Sequence, residues 1–207
     1  MDKELIKGLI AEYQQFVKSV AFVKRAVTLS DNFNYVFVGL RRVGKSYLMY
    51  QQIHHLIETG ISPEEILFFN FEDERIAGMD TEHLDMIKRC YEEMYSHRPI
   101  FFLDEIQIVP HWEQFVRRLA DQKYRVYVTG SNAKMLSKDI ATTLGGRFMI
   151  QYVYPFSFRE YLSSNGVQLD KLWIYKNRSE VVRHFDTYFR FGGLPCLLYT
   201  SPSPRDR

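Results

Sequence analysis

The chain has 207 residues, 46% of them hydrophobic and 25% charged, the mix of an ordinary folded chain with room for one α/β domain and the start of a second. Its 27 basic and 25 acidic residues leave a net charge of +2, too small an excess to indicate a dedicated nucleic-acid domain. No apolar run approaches the roughly 18 residues of a membrane span, and the charged start Met1-Asp2-Lys3-Glu4 does not resemble a signal peptide. The two cysteines, Cys90 and Cys196, have neither metal-ligand nor redox spacing, so a cytoplasmic chain is expected.

Along the chain, Leu5, Ile6, Leu9, Tyr13, Phe16 and Val17 recur at helical spacing and predict a helix over 2–17. The β-forming run Tyr35 to Val38 predicts a buried strand. Leu48, Met49, Ile53, Leu56 and Ile57 then predict a helix over 46–59, stopped at Gly60. Ser62-Pro63-Glu64-Glu65 has the form of a capping box with proline at the first helical position, so one short turn is expected before a second strand over 66–71. A helix over 80–96, a strand over 100–103, a helix around Trp112 to Leu119 and strands over 125–128 and 148–153 follow. Strands alternating with helices predict an α/β fold with a parallel sheet covered by helices, whose ligand crevice lies at the C-terminal ends of the strands.

The predicted organisation is an N-terminal helical segment over 1–30, a P-loop core over 31–155 and the start of a helical region over 156–195. Cys196 to Asp206 resembles the translation of a common transposase sequencing adapter, so 196–207 are set apart as a non-native tail. The natural chain is expected to continue past Pro195.

Gly39-Leu40-Arg41-Arg42-Val43-Gly44-Lys45-Ser46 matches G-x-x-x-x-G-K-[ST] at every fixed position, after a predicted strand and before a predicted helix. Glycines let such a loop curl its N–H groups toward phosphate oxygens, and the helix that follows directs its positive end at the same anion. Gly39 to Ser46, with Tyr47, are therefore the candidate ATP contacts, Lys45 being the candidate partner of the β- and γ-phosphates. The side chains of Arg41 and Arg42 read as solvent-facing.

The apolar strand Ile100 to Leu103 ends in Asp104-Glu105. Asp104 and the Ser46 hydroxyl are the candidate Mg²⁺ ligands, and Glu105 is the candidate base for the water attacking the γ-phosphate. Alternation along the strand is expected to send the two carboxylates in different directions. Asn132, past the fourth strand, is a candidate γ-phosphate sensor, although Gly-Ser-Asn is also a favourable turn composition. Arg147 could meet a phosphate in its own or a neighbouring subunit; on spacing alone a surface arginine reads equally well.

With these motifs placed, the chain resembles prokaryotic AAA-family ATP-binding proteins of the AAA+ superfamily. The carrying residues are the Gly39–Ser46 loop, Phe102-Leu103-Asp104-Glu105-Ile106-Gln107, Thr129-Gly130-Ser131-Asn132 and Leu144-Gly145-Gly146-Arg147. Tyr154 to Tyr161 and Phe191-Gly192-Gly193-Leu194-Pro195 complete the set. The resemblance implies an ASCE-type sheet, Mg-ATP binding, hydrolysis through Glu105 and a functional Arg147. It also implies a further C-terminal domain, and makes self-assembly or a protein partner an expectation.

The leading reading is an ATPase whose turnover moves an attached domain or partner. The alternative is an ATP-occupancy switch with little turnover. A small-molecule kinase would carry an arginine-rich lid after the third strand, where His111, Trp112, Arg117 and Arg118 read instead as one amphipathic helix. The basic residues of 171–190 are diluted by Asp170, Glu180 and Asp186 and read as a solvated helix.

Overall fold

The computed structural model describes residues 2–131, 142–167 and 170–195. Asn132 and the tail over 196–207 lie outside the described residues.

Five parallel strands form one sheet: β1 (Asn34–Gly39), β2 (Ile66–Asn70), β3 (Ile100–Asp104), β4 (Val126–Ser131) and β5 (Phe148–Tyr152). Their order is β2-β3-β4-β1-β5. Helices α1 (Lys3–Ser19), α2 (Lys45–Glu58), α3 (Thr81–Met94) and α4 (Trp112–Asp121) flank it. After the sheet come α5 (Phe158–Ser164), α6 (Lys171–Lys176) and α7 (Arg178–Phe191).

The central strands are mostly apolar, as strands covered on both faces must be, with polar residues such as Asp104 and Thr129 at their C-terminal ends. Every residue of β3 is buried, and the four apolar residues of β2 likewise. Tyr127 stacks on Phe102 with ring centroids 4.4 Å apart, and Tyr35 lies parallel to Tyr127 at 5.9 Å, so an aromatic row crosses β3, β4 and β1. This row packs the middle of the sheet across three neighbouring strands. Strand β5 lies at the edge and is only partly covered; Met149 and Ile150 are about half exposed.

Helix α1 starts where the Asp2 carboxylate accepts the Glu4 N–H. Its buried stripe is Ile6, Leu9, Ile10, Tyr13 and Val17, all within the same core as the sheet. Leu5 and Phe16, expected on that stripe, are exposed, Phe16 meeting Tyr50 edge-on at 5.7 Å. The helix rotates so that Ile10, adjacent to Leu9, faces the core instead.

The expected turn at Ser62 forms as a 3₁₀ turn over Pro63–Glu65 with both reciprocal capping bonds. Within 156–195 the described residues form α5, α6 and α7, with a small core of Tyr161, Leu162 and Val167. In α7 no residue is buried, yet Val182, Phe185, Phe189 and Phe191 are exposed beside its charges, so its outer surface is more apolar than the charge pattern suggested.

Candidate functional site

The chain turns from β1 into α2 through Gly39 to Lys45. At Gly39 a side chain is sterically excluded: a Cβ there would lie 2.4 Å from the Val153 carbonyl oxygen, because the segment leaving β5 hydrogen-bonds to Val38 directly alongside. Arg42 and Gly44 both adopt the left-handed region, with φ of 63° and 95°, which folds the loop back over the start of α2. Gly44 caps that helix without a side-chain hydrogen bond, so the first N–H groups of α2 face the loop without a side-chain acceptor. Arg41, Arg42 and Tyr47 point outward, as read for the two arginines, and Arg41 pairs with Glu72 at 3.3 Å.

Lys45 is buried within this turn. Its Nζ donates to the Leu40 carbonyl at 3.2 Å and lies 3.5 Å from Glu105 Oε1. Parallel register brings the second cluster to the same edge, since β3 joins the loop strand through β4. Asp104 is buried; its Oδ1 accepts the Thr129 hydroxyl at 2.5 Å, and the Ser46 side chain lies close enough to favour its charged form. Burial is the main influence on this carboxyl and pushes it up to about 6, with Glu105 pushing the same way. The Thr129 bond, the Ser46 side chain and the charge of Lys45 oppose that rise.

Thr129 ties the Asp104 carboxylate to the Glu105 backbone, because its Oγ1 also accepts the Glu105 N–H at 2.8 Å. The separation of Asp104 from Glu105 is achieved differently from simple strand alternation. The strand stops at Asp104, and Glu105 takes a left-handed conformation, φ 53°, at the head of a 3₁₀ turn. This is uncommon for a residue with a side chain and marks backbone held by its surroundings. The Glu105 carboxylate is gripped from two sides, by Lys45 and by the Gln107 amide at 2.5 Å.

Beside these groups opens a cleft of about 800 Å³, lined among others by Phe22, Arg25, Lys45, Glu105, Phe156 and Pro195. That is the size of a typical small-molecule site. Its lining mixes the cationic groups of Arg25 and Lys45 with the rings of Phe22 and Phe156, and Pro195 packs beside Gly44 of the loop. A phosphorylated ligand fits it in kind, with the N-terminus of α2 and Lys45 for an anion and aromatic surface for a ring. A magnesium ion also fits: Asp104 and Ser46 supply hard oxygen donors, and among the described residues no cluster of three or more His, Cys, Asp or Glu competes for it.

Phe22 and Arg25 were not singled out by the sequence, because they come from the connector before β1, and Pro195 entered only as part of the resemblance and not as a site residue. Arg147 is not brought to this site. It precedes β5 at the opposite end of the sheet, where Phe148 pairs with Asn34 at the start of β1, and its Nε binds Asp121 at 2.5 Å. The length of β1 alone, at about 3.3 Å per residue, separates it from the loop by roughly 17 Å. The reading in which Arg147 meets a phosphate held by the loop of its own chain is therefore corrected: six residues of strand intervene.

Residues 31–162 match the family described as the AAA domain. An uncharacterized protein of Methanocaldococcus jannaschii is 31% identical over 195 residues, covering 93% of this chain and 43% of that protein. An uncharacterized protein of Haemophilus influenzae is 34% identical over 181 residues, covering 86% of this chain and again 43% of the relative. The chain thus spans less than half the length of these curated relatives. Among solved structures, the Saccharomyces cerevisiae Hsp104–ADP complex shares the fold, with a TM-score of 0.54 at 15% identity over 96% of this chain and 31% of that one. Among the described residues no helix is long and apolar enough to cross a membrane.

Proposed function

The chain belongs to the AAA domain family, and we propose that it binds ATP with magnesium in the cleft at the C-terminal edge of its sheet and hydrolyses it. The observation that carries this reading is the cluster Lys45, Ser46, Asp104 and Glu105: a buried lysine and a buried carboxylate at one helix N-terminus, with a second carboxylate 3.5 Å from the lysine. In this reading the loop N–H groups and Lys45 hold the phosphates, and the aromatic rings of Phe22 and Phe156 in the cleft wall receive the base. Magnesium, when bound, would be held by Ser46 and Asp104 and would draw negative charge from the phosphate oxygens.

Glu105 accepts a proton as a water oxygen bonds to the γ-phosphorus and the bond to the β–γ bridging oxygen breaks. Its grip by Lys45 and Gln107 describes a resting arrangement; a phosphate that draws Lys45 away frees one oxygen of the carboxylate. Asn132 remains the proposed contact to the γ-phosphate. Arg147 is proposed to act across a boundary on a neighbouring subunit, and turnover to move an attached domain or partner.

Phosphate release from Mg-ATP by the purified protein, beside its Glu105→Gln variant, tests the reading. Turnover in the parent and its loss in a variant that still binds ATP is the expected result. Equal turnover in both overturns the role of Glu105. Binding without turnover in either would favour an occupancy switch, and no binding at all would sink the proposal.

A further inference from the structure

Arg25 lies in the connector between α1 and β1, 8% exposed, and carries more contacts than any packing role requires. Its Nε donates to Glu160 Oε1 at 2.8 Å, its Nη2 to the Tyr154 carbonyl at 2.6 Å, and its Nη1 to the Val43 carbonyl at 3.3 Å. Its guanidinium also lies 4.8 Å from the centre of the Phe156 ring. One planar group therefore touches the phosphate loop, the segment leaving the sheet and the first helix beyond it. The backbone of Arg25 is fixed in turn by Gln51 of α2, which accepts its N–H at 2.6 Å and donates to its carbonyl at 3.2 Å.

The far side of this contact is equally committed. Glu160 Oε1 also accepts the Ala26 N–H, and Glu160 Oε2 accepts the Ser157 N–H at 2.8 Å as the capping box of α5. Phe156 donates its N–H to the Gly193 carbonyl at 2.7 Å and accepts the Tyr188 hydroxyl at 2.7 Å, which joins α7 to the same point. Gly193 packs so closely there that a Cβ would lie 2.2 Å from the Phe156 oxygen. Hydrogen bonds thus run from the loop carbonyl at Val43 through Arg25 to α5, and the ring and backbone of Phe156 extend the contact to α7.

A buried ion pair is a weak source of stability, because desolvation offsets most of the attraction. The rigid donor fork of arginine is, however, well suited to fixing the relative geometry of several acceptors. We propose that Arg25 is a positioning residue that couples occupancy of the phosphate loop to the docking of α5 to α7 on the sheet. The inference rests on the nucleotide-binding reading above. A ligand that reorders Val43 and Gly44 alters the acceptor set of Arg25, and Glu160 transmits the change to the start of α5. By linkage, whatever docks α5 to α7 more firmly raises affinity for the nucleotide by the same factor.

Hydrogen exchange of the purified protein, with and without the non-hydrolysable imido analogue of ATP and magnesium, tests this coupling. In the parent, the analogue should slow exchange in both 39–48 and 157–164. Glu160→Gln retains a capping residue at that position but removes the charge that holds Arg25. It should keep the protection of 39–48, lose most of the protection of 157–164, and bind the analogue about fivefold or more weakly, the usual scale of such coupling. Arg25→Lys should behave alike; if it fails to fold, Glu160→Gln carries the test. Parent-like protection of 157–164 in Glu160→Gln overturns the coupling while leaving the nucleotide site intact. Absence of analogue binding in the parent removes the nucleotide reading itself, and the coupling with it.

Discussion

Replacing Asp104 by Asn should make the ligand-free protein more stable while destroying its response to magnesium. Burial raises this carboxyl from an ordinary 3.8 to about 6, a difference of about 2 units and hence about 3 kcal/mol at 1.36 kcal/mol per unit. Because the folded value is raised, the group's favourable contribution is fully present below about pH 4. It is lost as pH rises through about 6, where the folded protein must carry an unfavourable buried charge. Asn has no such charge and can still accept from Thr129. The variant's advantage should grow from near zero at about pH 4 to about 3 kcal/mol above about pH 7. For a domain of this size that is roughly 6–12 °C in melting temperature. Thermal unfolding of both proteins, nucleotide-free, at about pH 4.5 and pH 8 measures it. Repeating the pH 8 melts with Mg-ATP should stabilise the parent alone. No gain at pH 8, or an equal gain at pH 4.5, would refute the account of a buried charge opposed by too few partners.

Lys45→Ala should reduce Mg-ATP affinity below detection in a fluorescent-nucleotide titration, and parent-like affinity would remove Lys45 from the phosphate site. Thr129→Val strips Asp104 of one donor and leaves the Glu105 N–H without its acceptor. It should cost about 1–3 kcal/mol in urea unfolding and lower turnover more than affinity; an unchanged unfolding midpoint would contradict it. Arg147→Ala breaks a partly exposed pair with Asp121 and an exposed bond to the Gly145 carbonyl, so stability should shift by less than about 1 kcal/mol while turnover falls at unchanged affinity. Mixing it with Lys45→Ala chains should restore part of that turnover, and no restoration would argue against action on a neighbouring subunit.

The phosphate loop was legible in the sequence because its requirements are local. Glycine at 44 permits a positive φ, Lys45 and Ser46 follow at fixed spacing, and a strand and a helix flank the turn within a few residues. The Asp104-Glu105 pair was legible for the same reason, as carboxylates ending an apolar strand, and so was the parallel α/β architecture with its ligand edge. The left-handed turn at Glu105 was not, since nothing in a Glu-Ile-Gln stretch demands it; Thr129, 24 residues away, holds it by its N–H.

Three matters were decided by tertiary structure alone. Arg25 became part of the site because residues 43, 154 and 160 converge on it, and no spacing pattern encodes a convergence of separate segments. Arg147 was separated from the loop because strand direction puts the start of β5 at the far end of the sheet from the end of β1. Asp104 acquired its raised proton affinity from the layers packed around it, since desolvation depends on what covers a carboxyl and not on its neighbours in the chain. The sequence by itself determined which chemical groups the protein owns and the order of the elements that carry them. Packing determined which of those groups meet, and how strongly each holds its charge.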